Sequence, residues 1–369
     1  MRLKLGNVQI ANTLIIYHNT NAHIAEQLDI MNQANSVFRI SVSRVEAEFL
    51  RVLLKVGFTK DKSKILARIF TENSIDGVYT HGVNRFPRFI LYVKEKVIDP
   101  NAEPELKHSA GALEQWNGNL GAGILNAIKA TDRAMELANQ FGIGCVALAN
   151  TNHWMRGGTY GWRAAKNGFA FISWTNTLAL MPAWGAMNPK IGNNPIVFGA
   201  PYNDEAIVLD MAMSQFSYGK LEAAQIKNQQ MPMFGGYNKE GNLSTDPTEI
   251  LETRRVLPMG YWKGAGLALL IDLLATILSG GISTLEISNQ KYEHALSQVF
   301  IAMDLSKLGN ASSITQTINQ IIDDYHTSIP EDDSKEILYP GERVLKTRKD
   351  NLLNGIPVDE IVWEEIINL

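Results

Sequence analysis

His81 and Arg85 are the first residues in the chain whose types and spacing suggest chemistry. In Thr80-His81-Gly82-Val83-Asn84-Arg85-Phe86-Pro87, a histidine followed by glycine sits in a loop that enters a helix. Such a ring is accessible, and an imidazole that titrates near neutrality suits proton transfer to a developing alkoxide. Arg85 carries a planar guanidinium suited to holding a carboxylate by two parallel hydrogen bonds. The same spacing also fits a solvated loop histidine beside a surface arginine. The residues alone leave both readings open.

Three further segments invite similar treatment. The run from Asn150 to Gly161, with Asn152, His153, Arg156 and three glycines, follows an expected strand and precedes an expected helix. That is where α/β proteins place ligand-contacting groups, and its backbone N–H groups could face an anion. A tight structural turn explains it equally well. Asp210 ends the apolar run Ala206–Leu209. A partly buried carboxylate needs a partner, a histidine being the useful one, although it could simply cap the next helix. Glycines flank Tyr261, Trp262 and Lys263 ahead of an apolar helix, which fits either a phosphate or adenine contact or a plain helix start. Pro340-Gly341-Glu342-Arg343 reads by itself as an ordinary turn.

Several functions are disfavoured. The glycines between Gly118 and Gly123 have the wrong spacing for a dinucleotide fingerprint, and there is no Walker A or HExxH motif. The seven histidines form no pair at helical metal-ligand spacing, so no metal is expected. The formal net charge is −4 with no Lys/Arg cluster, which argues against a nucleic-acid partner. Cys145, the single cysteine, lies in an apolar stretch and reads as core packing. The apolar patch Leu14–Tyr17 is too short for a signal segment, and the run Leu267–Leu278 falls short of a membrane span. A cytoplasmic protein with no membrane partner is expected.

The elements that must position these groups follow from periodicity. Ser43 and Glu46 have capping-box spacing ahead of the apolar stripe Val45, Phe49, Val52 and Val56, closed by Gly57. Helices are expected over 62–73, 87–96, 122–140, 160–166, 216–228, 264–278 (buried), 313–326, 345–353 and 358–368. Strands are expected over 144–150, 169–176, 195–201, 206–211 and 298–305. Residues 229–258 read as a long polar excursion. The fold class expected is α/β, a mixed-sheet domain over 106–305 packed with a helical domain over 38–105. C-terminal helices over 306–369 are expected to join that helical domain.

Together the phrases GVYTHGVNRFPRF, GALEQW, ANTNHWMRGGTYGW, DMAMSQFSYGK and LPMGYWKGAG resemble the malate/L-lactate dehydrogenase family of the non-Rossmann type. The similarity runs from about Phe38 to Leu369. It implies a homodimeric oxidoreductase with an unusual mixed α/β NAD-binding domain. Within the family the likeness is greatest to the branch that reduces the C2 carbonyl of 2,3-diketo-L-gulonate with NADH, giving 3-keto-L-gulonate. A malate, lactate, ureidoglycolate or cyclic imino-acid activity is the alternative, and a non-catalytic binding module is the alternative of another class.

The resemblance places His81 on the proton donor. It places Ala206, Ile207, Val208, Leu209, Asp210, Met211, Ala212, Trp262, Lys263, Gly341, Glu342 and Arg343 on the NAD contacts. Arg85 would hold the substrate carboxylate, Asp210 would set the tautomer of His81 and raise its pKa, and Asn152, His153 and Arg156 would wall the pocket. Glu342 near the adenosine ribose would favour NADH over NADPH. Thr80 stands where the close relatives carry serine, Glu342-Arg343 where they carry His-Glu. Residues 1–37 have no counterpart and are expected to be a dispensable tail, or upstream sequence read from a different start.

Overall fold

The computed structural model describes residues 37–332 and 334–369. The expectation for residues 1–37 lies outside them, except that Val37 opens a strand. In chain order the elements are β1 (Val37–Ile40), α1 (Val42–Lys55), α2 (Lys60–Ile75), α3 (Phe86–Lys94), β2 (Glu105–Ala110), β3 (Leu113–Asn117), α4 (Gly123–Phe141), β4 (Ile143–Thr151), α5 (Gly158–Lys166) and β5 (Phe169–Thr175). There follow β6 (Ala179–Pro182), β7 (Pro189–Gly192), β8 (Ile196–Tyr202), β9 (Glu205–Met211), α6 (Tyr218–Ile226), β10 (Gly236–Tyr237), β11 (Leu243–Ser244) and α7 (Pro247–Thr253). The chain ends with α8 (Trp262–Ser279), α9 (Thr284–Ser288), β12 (Leu296–Asp304), α10 (Ile314–His326), α11 (Glu342–Asn354), β13 (Ile356–Asp359) and α12 (Glu360–Asn368).

Seven strands form one sheet in the order β2-β3-β4-β12-β5-β8-β9. Only β3 and β4 run parallel; the other neighbours are antiparallel. A doubly wound dinucleotide fold needs a largely parallel sheet, so this is a mixed-sheet, non-Rossmann α/β domain. β12 lies near the middle and is buried almost throughout, as an apolar strand covered on both faces must be. α4 and α5 cover one face through small residues such as Ala127, Ala134, Ala138 and Ala164. The approach is close: a Cβ on Gly144 would stand 2.1 Å from the Ala134 carbonyl oxygen. α8 covers the opposite face.

Beside the sheet stands a helical layer built from α1, α2 and α3. Its core is an aromatic cluster in which Phe49 stacks on Phe86 at 4.2 Å and Phe70 meets Phe86 edge-on at 5.2 Å. The stripe Val45, Phe49 and Val52 faces this core, as the helical period requires. β1 pairs antiparallel with β13, bringing Ile356, Val358, Trp363 and Ile366 from the far end of the chain into the same core.

Local chemistry departs from expectation at several points. The Ser43–Glu46 box does not form. α1 starts two residues earlier, behind Ser41, with no side-chain cap. A capping box exists instead at Ser283 and Glu286, ahead of α9. The excursion over 229–258 contains α7, capped by Asp246 with Pro247 in its first turn, a start signal that reading the segment as polar concealed. β2 is exposed along its whole length, so no alternation marked it. Of the C-terminal helices, α11 and α12 pack on the helical layer while α10 contacts β8 of the sheet.

The largest difference is α8, expected to be buried. Only its small-residue face, Gly264, Ala265, Ala268 and Ala275 with Ile271, packs inward. Leu269, Leu270, Leu273 and Ile277 point outward, 47–60% exposed. The helix is long and apolar enough to cross a membrane by length and composition alone, a test that a helix covering a sheet can also pass.

Candidate active site

His81, Arg85 and His153 line one cavity of about 460 Å³, closed by Thr177 and Asn193 from the sheet side, Tyr218 and Glu222 from α6, and the loop of Lys291, Tyr292 and Glu293. A larger cavity of about 580 Å³ lies between α2, α5 and α11, but it contains no histidine, and its Arg156, Arg163 and Arg348 are already paired with carboxylates.

His81 ends a short 3₁₀ turn after α2. Asn73 of α2 donates to the His81 carbonyl at 2.9 Å, and the Ser74 hydroxyl accepts from Val83 N–H, so both sides of the turn are tied to one helix. Gly82 permits this: a Cβ there would stand 2.2 Å from Ser74 Oγ. Val83 and Phe86 are fully buried, which fixes the pitch of the turn carrying Arg85. The His81 ring lies parallel to that of His153, centroids 5.5 Å apart, with Nδ1 at 3.2 Å from Thr80 Oγ1. Burial, then the charges of Arg85 and Arg156, pull the His81 imidazole down to about 4. In the open cavity it is neutral at pH 7.

His153 is fixed more tightly. Its Nδ1 accepts a hydrogen bond from Met155 N–H at 2.9 Å, across a turn in which Met155 adopts a left-handed backbone (φ 64°). A nitrogen that accepts carries no proton, so the neutral ring holds its hydrogen on Nε2. Burial and the nearby Arg85 hold this ring well below the usual imidazole range. His153 is therefore a neutral hydrogen-bond donor.

Among the described residues, no hydrogen bond or ion pair claims the Arg85 guanidinium. Burial lowers its pKa and the Glu293 carboxylate raises it; an arginine remains charged through such a shift. A partly desolvated cation with no counter-ion in contact, beside two histidines, is a site for an anion.

Other expected site residues are placed differently. Asp210 does not meet His81. Its Oδ2 accepts from Gly158 N–H at 2.7 Å, at the start of α5. The glycine loop's anion is thus this side chain, held at a helix N-terminus. Asp210 is surrounded by many protein atoms yet exposed on the edge strand β9, and partial desolvation pushes its carboxyl upward against Gly158 N–H and Arg156. Arg156 is buried and ion-paired with Asp76, which also takes two bonds from Arg348, at 2.6 and 2.9 Å. Asn152 is buried as well, its amide donating to the carbonyls of Val97, Leu120 and Gly121. Neither Arg156 nor Asn152 lines the cavity; both are ties between segments.

The segments assigned to NAD converge in part. β9 is the sheet's edge, and Val208 N–H turns away from the sheet to donate to Pro340 O at 3.1 Å. By antiparallel alternation the backbone groups of Ala206 and Asp210 face the same open side, whereas Ile207, Leu209 and Met211 face β8. Gly341 (φ 96°) packs on Val208 and Trp162, and the buried Trp162 indole N–H has no partner. Glu342 is engaged: its Oε2 lies 3.0 Å from Tyr339 N and 3.1 Å from His326 Nε2. Ala212 leads to Met213, whose carbonyl accepts from Met259 N–H, so the Tyr261–Lys263 corner lies beyond the end of β9. Trp262 is 63% exposed there, with Lys263 over its ring. An edge with open amides, an orphan indole N–H and an exposed indole suit a dinucleotide.

Sequence reading missed Glu293, Glu222, Asn193 and the Asp76–Arg348 tie. Glu293 sits in an unpatterned loop, and only its place opposite Arg85 gives it chemistry.

The family profile described as malate/L-lactate dehydrogenase matches residues 40–367. The chain is 44% identical over 332 residues to a 2,3-diketo-L-gulonate reductase of Pasteurella multocida, and 43% identical to one of Haemophilus influenzae; each match covers 90% of this chain and 100% of the other. Among solved structures, malate dehydrogenase from Pyrococcus horikoshii superposes with a TM-score of 0.81 at 28% identity, covering 89% of this chain and 93% of that one. Sulfolactate dehydrogenase from Methanocaldococcus jannaschii gives 0.81 at 28%, covering 89% and 95%.

Proposed function

Since the chain belongs to the malate/L-lactate dehydrogenase family, we propose that this oxidoreductase reduces the C2 carbonyl of 2,3-diketo-L-gulonate with NADH. The observation that carries the reading is the unclaimed Arg85 guanidinium sharing a half-buried cavity with two histidines. The substrate named by the relatives at 43–44% identity is the best candidate, because those matches span nine-tenths of this chain. Malate or another 2-hydroxy acid is the second reading, favoured by the likeness to the malate and sulfolactate enzymes.

A nicotinamide cofactor belongs to dehydrogenases of this family and, when bound, supplies the hydride. The open edge of β9, the Gly341 turn and the Trp262–Lys263 corner are the residues that would hold it. Arg85 binds the substrate carboxylate and so presents the adjacent carbonyl to the histidines. His153 donates a hydrogen bond from Nε2, and His81 delivers the proton to the carbonyl oxygen. Preference for NADH no longer rests on Glu342 as a free ribose acceptor. Its carboxylate, held by His326 and Tyr339, acts as a fixed negative charge that repels a 2′-phosphate.

His81 must gain its proton as the substrate arrives. The substrate carboxylate offsets the Arg85 charge, one of the causes holding the imidazole at about 4. For reduction, log kcat/KM, which reports free His81, falls with rising pH above about 4, whereas kcat holds to a higher pH. Identical pH profiles for the two parameters would exclude this loading step.

A panel of 2-keto and 2,3-diketo acids, each with NADH and with NADPH, tests the function by loss of reduced-cofactor absorbance. Fastest turnover is expected for the diketo sugar acid with NADH. Higher kcat/KM for oxaloacetate or pyruvate would move the assignment to the second reading. The enzyme is assigned to the cytoplasm as a homodimer. The outward Leu269, Leu270, Leu273 and Ile277 of α8 form the apolar strip that a second copy would cover, and Leu273→Asp is expected to yield monomers in light scattering.

A further inference from the structure

The cavity holds one more group whose chemistry bears on what it accepts. Glu293 lies in the loop before β12, enclosed by protein and lining the same cavity as Arg85. Its Oε1 accepts from Leu178 N–H at 3.2 Å, and no described residue donates to its Oε2. The loop is braced across the domain boundary. Tyr292 packs against Tyr92 of α3 at 5.3 Å between ring centroids, and its hydroxyl lies 3.3 Å from the Glu95 carboxylate. The carboxylate is therefore held in place and is not a mobile surface acid.

Its surroundings suit hydroxyl groups. The Thr177 hydroxyl lies 3.0 Å from Asn193 Oδ1, which leaves the Asn193 NH₂ as a donor into the cavity. The charged side chains on the lining are Arg85, Arg88 and Lys291 against Glu222 and Glu293, a balance of one positive charge. The exposed Arg88, Glu222 and Lys291 sit at the mouth, so the inner pair is Arg85 and Glu293. A monoanion satisfies that balance. A second carboxylate reaching the inner end would meet the half-buried Glu293 carboxylate, where screening by water is weaker than at the mouth and like charges are costly.

We propose that Glu293 determines the substrate class of this site: it accepts hydrogen bonds from the hydroxyls of a monoanionic polyhydroxy keto acid and rejects keto diacids. This rests on the reading of the cavity as a keto-acid site, with Arg85 on the carboxylate next to the reacting carbonyl. Glu293 touches the part of the substrate that does not react, so its contribution appears mainly in KM. A hydroxyl bonded to a buried carboxylate accounts for about 10–100-fold in affinity.

The test compares wild type with Glu293→Gln and Glu293→Asp on three substrates with NADH: 2,3-diketo-L-gulonate, oxaloacetate, and 2-ketobutyrate, which has neither hydroxyls nor a second carboxylate. Glu293→Gln is expected to lower kcat/KM for the sugar acid by about 10-fold or more, through KM. It should raise kcat/KM for oxaloacetate several-fold. For 2-ketobutyrate it should not lower kcat/KM, because that substrate has no hydroxyl whose hydrogen bond could be lost and the Arg85 charge is then less offset. Glu293→Asp, which keeps the charge, should retain discrimination against oxaloacetate. An equal loss on all three substrates would show a structural role and overturn the proposal. So would an unchanged ratio of sugar acid to oxaloacetate. If wild type fails on the sugar acid yet reduces the other two, the assigned substrate falls, while the change in the oxaloacetate to 2-ketobutyrate ratio still decides the role of Glu293.

Discussion

His81→Asn is expected to lower kcat for reduction by about 10²–10⁴-fold while NADH binding changes little. Ketone reduction leaves an alkoxide unless a proton arrives with the hydride, and the proton donor must reach that oxygen. His81 shares the cavity with Arg85 and His153, and the turn that carries it is clamped to α2 by Asn73 and Ser74. His153 cannot easily replace it. Protonating His153 on Nδ1 would break its bond to Met155 N–H and place a second charge beside Arg85. Arg85→Lys should act differently, raising KM more than it lowers kcat, because the carboxylate clamp serves ground and transition states alike. Stopped-flow turnover and fluorescence titration with NADH separate the two effects. A His81→Asn enzyme retaining more than about a tenth of wild-type kcat would fall outside the range for general acid catalysis and move the donor role to His153.

The second large effect is on stability, at Asp76. This buried carboxylate is shared by Arg156 and Arg348, which arrive from the segment before α5 and from α11. Asp76→Asn removes the charge and leaves Arg156, only 6% exposed, without its counter-ion, while Arg348 keeps only its longer pair with Glu205 at 3.6 Å. Breaking a buried pair in this way costs about 3–5 kcal/mol, far more than the pair's net worth against an apolar replacement. Thermal unfolding should show Tm lowered by several degrees, whereas Glu331→Gln, in an exposed pair with Lys335, should leave it in place. Unchanged Tm for Asp76→Asn would mean that Arg156 reaches solvent and that the existing Arg348–Glu205 pair suffices for Arg348.

How much of this could be read from sequence depended on the range of each interaction. The stripe of α1 and the apolar runs that became β4, β5 and β12 were legible because burial imposes a local period. The nearness of His81 and Arg85 was legible because they stand four positions apart, at the ends of two successive 3₁₀ turns. Asp210 was misplaced since its partner, Gly158 N–H, is a backbone group that no side-chain pattern announces. Arg156 and Asn152 looked like ligands because polar residues after a strand often are. Their true partners, Asp76 and the carbonyls of Val97 and Leu120, lie dozens of residues away. β1 and β2 carried no readable alternation: one is four residues long and the other is solvent-exposed. The leucines of α8 read as interior because composition registers apolarity without showing what covers it.

The pairing of β1 with β13 also sets an order of events during synthesis. Val37–Ile40 leaves the ribosome more than 300 residues before Ile356–Asp359 does. At about 5–20 residues per second, that interval lasts on the order of 15–60 s. Throughout it, α1 and α3 lack Trp363 and Ile366, and the layer bearing His81 and Arg85 cannot close its core. The sheet of β2 to β12 has all its strands before then, so it can assemble first and serve as the template on which the helical layer settles. Ribosome-stalled chains ending near residue 350, which free β12 from the exit tunnel yet lack Ile356–Asp359, should therefore protect the sheet from proteolysis while leaving Arg44 and Arg51 open to trypsin.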